Sequence, residues 1–381
     1  MLNILIIGMM DIKGGIEQLI YQIFSRLDKN KIQCDFLCYC PRCAYEENLK
    51  AAGSAVYHIA RRGQHPLKCR KELKAFFKEH RTDYDYIWIN TCSASNGMGH
   101  VYAKRYTNAK IITHSHNTYF DSAGGVVRVA HMLLHKANRK KLFRYTDFCF
   151  ACSAEAGEWL FGPKAESVVI IKNGIETDAF RFDPSAAERI KKEFSLGGCK
   201  VIGHAGRFCE AKNQSFLLEI FAEVIKKSDH YRLFLAGEGD LLIPMQQKAA
   251  DLGIADKVIF AGYREDMEAV LQAFDLLLLP SLFEGLGIIA VEAQASGLPC
   301  LLADTIPKEV YLTDLAFEMR LTDPAEQWAD QVRALVEAHE NIDRTAYCKI
   351  VAQNGYDIND TVRELEAFLT EHKTQDLGGN Q

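Results

Sequence analysis

Short apolar runs alternate with longer segments of helical periodicity along nearly the whole chain. This alternation is typical of βα units and parallel sheets, so it predicts an α/β fold. The first half predicts strands at 2–8, 34–40, 55–59, 86–90, 109–116 and 147–153, with helices that include 15–27 and 126–144. A second series predicts strands at 200–206, 232–237, 257–262, 275–280 and 299–304, with helices near 213–227, 241–252, 266–273 and 287–296. The repeated rhythm indicates two Rossmann-like domains.

The rhythm breaks at 172–184, where Asn173 and Gly174 give a turn signal before a charged stretch and a proline. We therefore predict an N-terminal domain at 1–172 and a C-terminal domain at 173–358. We expect a last helix, at about 359–381, to pack back on the N-terminal domain. Parallel sheets bind ligands beyond the carboxyl ends of their strands, so we expect the two domains to face each other across a ligand cleft.

The composition is that of an ordinary globular protein, with 381 residues, 48% of them hydrophobic and 25% charged. No apolar stretch approaches the roughly 20 residues that span a bilayer, and no basic leader is recognisable. Both observations predict a cytoplasmic location, which the twelve cysteines fit as reduced thiols. Cys40 and Cys43 have the spacing of half a zinc or redox site, but no second ligand pair accompanies them, so we favour buried thiols.

Charge is distributed unevenly along the chain. Residues 1–150 carry 23 Lys and Arg against 12 Asp and Glu, whereas the remaining residues carry 22 against 38. The helix 126–144 interleaves apolar residues with Lys136, Arg139, Lys140, Lys141 and Arg144. A basic amphipathic helix favours an anionic membrane surface, here the inner face of the membrane. An ordinary amphipathic core helix is the alternative.

The most informative segment is 275–304, in which a buried strand leads through a glycine-containing loop into an apolar helix. Glu284 lies in the loop, and Glu292, eight residues later, is expected two helical turns deeper. Small residues at the helix start let backbone amides approach a diphosphate, which the helix dipole also favours. One carboxylate could then hold sugar hydroxyls and the other ribose hydroxyls.

This pair of glutamates, separated by seven residues in a strand–loop–helix context, resembles glycosyltransferase family 4, whose members have the GT-B fold. The resemblance covers most of the chain. In segment 204–221, Arg207 and Lys212 match the arginine and lysine with which the family holds the donor diphosphate, and Gly206 ends the preceding strand. Two cations on a departing nucleoside diphosphate also make chemical sense without the resemblance, because they stabilise its developing charge.

Further segments carry the same resemblance. The glycine pair after the first strand matches a loop that faces the donor phosphate or the acceptor, although Gly-Gly alone is a weak signal. His116 matches a strand-end histidine that contacts the transferred sugar, and we prefer it to His114; a structural role is the alternative. The segment after strand 257–262 matches one whose backbone frames the nucleotide base. The donor-binding positions implied are Gly14, Gly15, Gly206, Tyr263, Arg264, Gly285, Leu286, Gly287 and Glu292.

The resemblance implies a retaining, metal-independent transfer of a sugar from a nucleoside-diphosphate sugar, with UDP favoured. Arg207 and Lys212 would stabilise the leaving diphosphate, Glu284 would orient the sugar, and His116 would line the sugar site from the N-terminal domain. No cofactor, metal ion or nucleic acid is expected. Segments 152–162 and 173–180 are most similar to bacterial capsule and exopolysaccharide enzymes, which implies a saccharide acceptor linked to a lipid.

Several alternatives remain open at this point. Asp83 and Asp85 form the DxD pattern of metal-dependent glycosyltransferases of another fold, but they precede a strand instead of following it. The glycine pair lacks the GxGxxG spacing of a dinucleotide site, which disfavours a nicotinamide oxidoreductase. A nucleotide-sugar epimerase of the same fold and a non-catalytic nucleotide-sugar-binding subunit are the remaining rivals.

Overall fold

The computed structural model describes residues 1–118, 126–162 and 167–378, and the chain divides into two compact units. Unit 1 comprises Met1–Gly174 and Ile358–Gln381, and unit 2 comprises Ile175–Asp357. The division follows Gly174, within the segment where the apolar rhythm of the sequence breaks. Each unit is therefore built around its own parallel sheet.

Strands and helices alternate through both units. The strands are β1 (Leu2–Ile7), β2 (Ile32–Cys38), β3 (Val56–His58), β4 (Tyr86–Thr91), β5 (Lys110–Ser115), β6 (Phe148–Ala151), β7 (Val168–Ile170), β8 (Lys200–Ala205), β9 (Tyr231–Ala236), β10 (Val258–Gly262), β11 (Leu276–Leu279), β12 (Cys300–Ala303) and β13 (Ala316–Met319). The α-helices are α1 (Gly15–Arg26), α2 (Glu46–Ala51), α3 (Pro66–Glu79), α4 (Met98–Tyr106), α5 (Val126–Arg144), α6 (Ala154–Phe161), α7 (Pro184–Glu193), α8 (Gln214–Lys227), α9 (Leu242–Asp251), α10 (Met267–Val270), α11 (Ile288–Ala295), α12 (Ala325–Ala338), α13 (Tyr347–Val351) and α14 (Ile358–Gly378). Short 3₁₀ helices span Thr177–Phe180, Glu210–Lys212, Ala255–Lys257, Leu271–Ala273, Lys308–Val310 and Arg344–Ala346, and a π turn spans Ala352–Tyr356.

The sheet of unit 1 has the order β3-β2-β1-β4-β5-β6-β7, and its strands pair in parallel. Alternate residues of β1 enter different cores, as strand geometry requires. Ile4 and Ile6 pack in a core that includes residues of α1 and α14, whereas Leu5 and Ile7 pack in a core that includes residues of α3 and α4. Helices therefore cover both faces of this sheet, which is the doubly wound arrangement predicted from the sequence.

The last helix, α14, belongs to unit 1 although it is separated from the rest of that unit by unit 2. Leu365 and Leu369 are buried in the core that contains β1 and β2. The Tyr86 hydroxyl donates to the Leu369 carbonyl at 3.1 Å, and the Asp28 amide donates to Glu366 Oε1 at 2.7 Å. Apolar burial and these hydrogen bonds together hold the end of the chain against unit 1.

The sheet of unit 2 has the order β10-β9-β8-β11-β12-β13, again with parallel pairing. In this order β8 and β11 are neighbours, so the loops that follow their carboxyl ends lie side by side. The strand β13 was not predicted from the sequence, because its four half-exposed residues lack the apolar run that marks the buried strands. The predicted α/β class is confirmed in both units.

Membrane-spanning helices were not expected from the sequence. Within residues 1–118, 126–162 and 167–378, none of the helices has the length and apolar content that a membrane span requires.

Candidate active site

Two loops of unit 2 form the centre of the candidate site. One follows β8 and carries Lys212, and the other follows β11 and carries Glu284. The Leu282 amide donates to the Ala211 carbonyl at 2.8 Å, and Asn213 Nδ2 donates to the Pro280 carbonyl at 3.0 Å. Because β8 and β11 are neighbours in the sheet, these cross-links fix the two loops against each other at the carboxyl edge.

The structure brings Lys212 and Glu284 into direct contact. Lys212 Nζ lies 2.7 Å from Glu284 Oε1, and the Ser281 hydroxyl donates to the same oxygen at 2.8 Å. The two charged side chains are only 18% and 9% exposed. Little water screens this ion pair, so each charge is held in place by the other. A cation and a hydrogen-bond acceptor are therefore placed together at the end of the sheet.

Gly206 makes room for the lysine side chain. A Cβ atom on Gly206 would lie 2.9 Å from Lys212 Cε, closer than real Cβ contacts allow. Any larger residue at this position would displace the lysine side chain that reaches Glu284. Glycine at this strand end therefore has a steric role within the protein itself.

The neighbouring residue, Arg207, is exposed at the start of the same loop. Its carbonyl accepts a hydrogen bond from Gln214 Nε2 at 3.0 Å, and the Gln214 amide also lies 3.3 Å from His204 Nε2. His204 is fully buried, its Nδ1 lies 3.0 Å from the Leu278 carbonyl, and burial lowers its pKa to about 4. A neutral histidine and a glutamine thus fix the backbone of Arg207. Neither residue was predicted from the sequence, because a buried His and a buried Gln belong to no recognisable motif.

The glycine loop of unit 2 leads into α11. Gly287 has a φ of 88°, a left-handed conformation that favours glycine, and α11 starts immediately afterwards at Ile288. The Leu286 side chain is buried, so only its backbone is available to a donor. No acidic residue occupies the first turn of α11. The start of this helix therefore keeps its partial positive charge for a ligand.

Glu292 lies one turn inside α11, not two turns below Glu284 as expected, because the residues before Gly287 are loop. Its side chain is buried, and within the described residues its carboxyl group has no hydrogen-bond or ion-pair partner. Burial, and secondarily the negative charge of Glu268, raise the pKa of Glu292 to about 8. The carboxyl group is therefore protonated at neutral pH and can donate as well as accept a hydrogen bond.

Tyr263 and Arg264 follow β10 as expected, but the arginine side chain already pairs with acidic residues of the protein. Its guanidinium donates to Asp266 at 2.8 Å and to Glu193 at 2.7 Å, and it lies over the ring of Phe194. Tyr263 is 47% exposed. A contact between this segment and a nucleotide base would accordingly involve the backbone and Tyr263, not the arginine charge.

In unit 1, the glycine pair opens α1. Gly14 precedes the first residue of the helix, Gly15, and a Cβ on Gly14 would lie 2.8 Å from Glu17 Oε2. The buried Glu17 accepts the Met10 amide at 3.2 Å, which ties the loop to the helix. A Cβ on Gly15 would meet no atom within 4 Å. The first glycine thus accommodates a neighbour within the protein, whereas the space beside the second one is open.

The structure distinguishes the two histidines at the end of β5. His114 is fully buried, and its ring lies 5.9 Å from the ring of Trp88. His116 follows the strand, and its Nε2 lies 2.8 Å from Asn90 Oδ1. Asn90 Nδ2 donates in turn to the Ile7 carbonyl at 3.3 Å, which links the ends of β1, β4 and β5.

Because Nε2 of His116 carries the proton that Asn90 accepts, Nδ1 remains an acceptor. Within the described residues this Nδ1 atom has no hydrogen-bond partner. Burial lowers the pKa of His116 to about 3, so the ring is neutral at physiological pH. Both ring nitrogens of the fully buried His114 also lack a hydrogen-bond partner within the described residues, so His116 is distinguished by its position after the strand and by its contact with Asn90. Asn90, which sets this tautomer, was not found from the sequence.

The rival metal motif lies at the opposite edge of this sheet. Asp85 directly precedes β4 and accepts hydrogen bonds from the Asn3 amide at 2.8 Å and from Lys373 Nζ at 3.1 Å. Asp83 pairs with His80 Nδ1 at 2.8 Å. These carboxylates lie at the amino ends of the strands, whereas ligands of parallel sheets bind at the carboxyl ends.

The CxxC pair is part of the core of unit 1. Cys40 and Cys43 are buried free thiols in the segment after β2. The Cys40 thiol points to the Met9 carbonyl, and the Cys43 thiol donates to the Ala44 carbonyl at 3.2 Å. Both thiols thus have backbone acceptors, as expected for cysteines that pack as small apolar side chains.

Comparison with known proteins identifies the family. Residues 13–179 match the family model for Glycosyltransferase Family 4, and residues 199–338 match the model for Glycosyl transferases group 1. EpsF of Bacillus subtilis (strain 168), which is named as a glycosyltransferase, is 30% identical over 361 residues, covering 93% of this chain and 92% of its own. A GDP-mannose-dependent phosphatidylinositol monomannoside mannosyltransferase of Mycolicibacterium smegmatis is 26% identical and covers 75% of this chain and 76% of its own.

Solved structures share the fold. HepE of Anabaena in complex with UDP-glucose has a TM-score of 0.77 at 19% identity, covering 97% of this chain and all of its own. WaaG, a glycosyltransferase involved in lipopolysaccharide biosynthesis, has a TM-score of 0.71 at 15% identity, covering 95% and 98%. The predicted GT-B fold is confirmed by these likenesses. Since family models match both halves of the sequence and EpsF is similar along nearly its whole length, this chain belongs to glycosyltransferase family 4 and is a glycosyl-transferring enzyme.

Proposed function

We propose that the protein is a retaining, metal-independent glycosyltransferase that moves a sugar from a nucleoside-diphosphate sugar to a saccharide acceptor linked to a lipid, in exopolysaccharide or capsule synthesis. The observation that carries this proposal is the contact between Lys212 and Glu284 at the carboxyl edge of the unit 2 sheet. A cation for the leaving diphosphate and an oxygen acceptor for sugar hydroxyls lie together there. Gly206 accommodates the Lys212 side chain, and Gly287 opens α11 close to Glu284.

In this proposal the leaving group is stabilised by positive charge from the protein. Arg207 and Lys212 lie on the loop after β8, and the start of α11 adds the positive end of a helix dipole. As the bond between the anomeric carbon and the phosphate oxygen breaks, negative charge accumulates on the diphosphate. Lys212 and Arg207 offset that charge without a divalent cation. This supply of charge supports the proposed metal independence.

Retention follows from attack on the same face of the sugar as the departing phosphate. The acceptor oxygen forms its bond to the anomeric carbon while the phosphate bond breaks, and the acceptor proton passes to an oxygen of the leaving diphosphate. Glu284 Oε1 is already engaged by Lys212 and by the Ser281 hydroxyl. We therefore assign Glu284 to orienting sugar hydroxyls, as the resemblance implies.

Two buried groups complete the proposed donor site. Glu292, protonated near neutral pH, can both donate to and accept from ribose hydroxyls. His116 has its Nε2–H held by Asn90 and a buried Nδ1 without a partner in the described residues, and we assign this Nδ1 as an acceptor for a sugar hydroxyl of the donor. The backbone after β10 and Tyr263 would frame the base. Each of these contacts favours orientation of the donor over proton transfer.

The choice of UDP and of a lipid-linked acceptor is supported by relatives. Two HepE structures contain UDP-glucose or UDP with glucose, and WaaG is described as a glycosyltransferase involved in lipopolysaccharide biosynthesis. The mannosyltransferase of Mycolicibacterium smegmatis acts by its name on a phosphatidylinositol monomannoside. A nucleotide sugar and an acceptor with a lipid part are therefore the substrates that we propose for this chain.

We also propose that α5 places the enzyme on the inner face of the cytoplasmic membrane. The helix contains basic residues and no acidic one. Val129, Leu133 and Phe143 are 59%, 63% and 43% exposed, and the exposed Lys136 and Lys140 lie on the same stripe at helical spacing. An exposed apolar stripe with cations fits an anionic lipid surface.

Vesicle sedimentation tests this surface. We expect the protein to bind phosphatidylglycerol vesicles at low salt and not phosphatidylcholine vesicles, because screening and neutral lipid both remove the attraction. A Lys136→Glu/Lys140→Glu variant should lose binding, whereas Lys71→Glu/Lys74→Glu on α3 should retain it. Equal sedimentation of both variants with phosphatidylglycerol would contradict the proposed role of α5.

The donor site is tested by calorimetric titration with UDP, GDP and ADP in a buffer containing EDTA. We expect UDP to bind and Arg207→Ala to weaken binding at least tenfold, since a hydrogen bond to a charged group is worth roughly 1.5–3 kcal/mol. Arg189→Ala, which removes an exposed arginine of α7, is the matched control. Binding of UDP only after a divalent cation is restored would contradict metal independence, and binding of none of the three would contradict the donor site.

Analysis of the reaction products distinguishes glycosyl transfer from the two alternative functions, epimerisation and binding without catalysis. Incubation with UDP-sugars and lipid-linked saccharide acceptors, followed by nuclear magnetic resonance of the product, should show the anomeric configuration of the donor. An inverted product would refute retention. A new nucleotide sugar formed without acceptor would identify an epimerase. Binding of a nucleotide sugar without any product would identify a non-catalytic binding protein.

A further inference from the structure

A cavity of about 290 Å³ lies within unit 1, between the loop that follows β4 and the C-terminal half of α5. Its lining includes Asn96 and Gly97, which directly precede α4, Asn138 of α5, and Tyr145, the residue after α5. None of these residues belongs to the proposed donor site. The loop 92–97 follows the carboxyl end of β4, the edge at which parallel sheets bind ligands.

The cavity carries uncompensated positive charge. Arg62 and Lys141 line it, and none of its lining residues is acidic. Within the described residues, neither cation has an ion pair, a hydrogen bond or an aromatic ring as a partner. By contrast, Lys104 of the neighbouring α4 is paired with Asp147. Two free cations around one concavity attract an anion.

Neutral hydrogen-bond donors and the start of a helix add to the preference of the cavity for an anion. The Asn138 amide and the Tyr145 hydroxyl can donate to the oxygens of an anion, and the guanidinium of Arg62 can donate twice. Gly97 precedes α4, a helix of nine residues without an acidic residue in its first turn. The positive end of that helix therefore faces the same cavity. Phosphate oxygens are the acceptors that such a set of donors binds well.

An apolar stripe continues from the cavity along α5. Leu134, Asn138 and Lys141 follow each other at spacings of four and three residues, so they lie on one face of α5, and Tyr145 directly follows the end of the helix. Leu134 is 46% exposed, and Val127, seven residues earlier on the same face, is 52% exposed. Positive charge at one end of this face and exposed apolar surface at the other match an amphiphile with an anionic headgroup.

We propose that this cavity binds the phosphate or diphosphate group that joins the acceptor saccharide to its lipid, with the start of the lipid chain along Leu134 and Val127. This inference rests on the proposed function, because it assigns a subsite to the acceptor of that reaction. Arg62 and Lys141 hold the anion, and the saccharide attached to it extends from the cavity. The subsite selects acceptors by the charge of their linker and does not take part in bond breaking.

Calorimetric titration of the full chain with farnesyl diphosphate and with inorganic pyrophosphate tests the subsite, with UDP in excess to occupy the donor site. We expect farnesyl diphosphate to bind, and Arg62→Ala/Lys141→Ala to weaken its binding roughly ten- to hundredfold, because hydrogen bonds to charged groups are lost. Leu134→Asp should weaken farnesyl diphosphate but not pyrophosphate. Lys71→Ala/Lys74→Ala, which removes two exposed charges of α3, is the control for general electrostatics.

The outcomes separate the possible sources of the anion. Unchanged farnesyl diphosphate affinity in the Arg62→Ala/Lys141→Ala variant would overturn the proposal. A loss for pyrophosphate alone would assign the cavity to free phosphate and also overturn it. A UDP titration of each variant, run first, reports the donor site independently. Failure of the wild type to bind UDP would contradict the proposed function, whereas lost farnesyl diphosphate binding with intact UDP binding would support the acceptor subsite.

Discussion

The buried carboxyl group of Glu292 makes a quantitative prediction about stability and pH. In the folded protein its pKa is raised from 4.5 to about 8, chiefly because burial in α11 disfavours the charged form. An unfolded chain loses this stabilisation of the neutral form. Unfolding therefore releases a proton between pH 4.5 and about 8, so the free energy of unfolding falls as pH rises through that window. The contribution is absent below pH 4.5 and reaches its full destabilising effect above about pH 8.

The magnitude follows from the shift. One unit of pKa corresponds to about 1.4 kcal/mol, so the whole shift corresponds to about 5 kcal/mol, of which about 2 kcal/mol falls between pH 6 and pH 8 and about 3 kcal/mol between pH 6 and pH 9. Glutamine at this position has a similar shape and no ionisation. Relative to wild type, Glu292→Gln should therefore gain about 3 kcal/mol on going from pH 6 to pH 9. For a domain the size of unit 2 this is a relative gain in Tm of roughly 6–12 °C.

The assay is thermal unfolding of wild type and Glu292→Gln at several pH values between 6 and 9, in matched ionic strength. Glu326→Gln is the control, because Glu326 is an exposed glutamate of α12 in the same unit. Its Tm should follow that of wild type at every pH. A constant difference in Tm between Glu292→Gln and wild type from pH 6 to pH 9 would refute the assignment of a buried, protonated carboxyl group.

Three further predictions concern the donor site. Lys212→Met and Glu284→Gln should each lower kcat/KM by roughly a hundredfold. The double variant should lower it by less than the product of the two single effects, because each single change already disturbs the other member of the ion pair; fully multiplicative effects would show that the pair does not act as a unit. His116→Ala should lower kcat roughly tenfold or more and leave UDP affinity in calorimetry unchanged, since Nδ1 of His116 contacts the sugar in our proposal. Asn90→Ala should lower kcat by a smaller factor; weakened UDP binding in His116→Ala would show that His116 contacts the nucleotide instead of the sugar. Gly206→Ala should weaken UDP binding roughly tenfold by displacing Lys212, and unaltered affinity would argue against that contact.

The order of strands and helices could be predicted from the sequence because buried strands are continuous apolar runs. The run at 276–279 consists of four leucines, all fully buried in β11. The strand β13 was missed because an edge strand needs no such run: Ala316–Met319 is half-exposed and contains a glutamate. The start of α11 at Ile288 agrees with the predicted helix near 287–296, but Glu292 lies only one turn inside it because the residues before Gly287 are loop. Local pattern therefore predicted the bounds of this buried helix, whereas the relative depth of Glu284 and Glu292 depended on the path of the loop.

The candidate site was predicted by residue type and not by contact. Arg207, Lys212 and Glu284 were recognised from their segments, but the distance of 2.7 Å between Lys212 and Glu284 depends on β8 and β11 being neighbours in the sheet. The ion pair between Arg264 and Glu193 could not be predicted from the sequence either, because Glu193 lies on α7. A sequence motif indicates which chemical groups are present, but it does not indicate which of them already pair with other residues of the protein.

By itself, the sequence determined the α/β class, the two-domain plan and the segments that carry charged groups to the carboxyl ends of strands, because periodicity and turn signals are local properties of the chain. Only the tertiary structure decided the tautomer of His116 through Asn90, the protonation of Glu292 and the cavity between α4 and α5. Burial and hydrogen bonding depend on residues distant in sequence, and the energies that set ionisation and contact come from those neighbours.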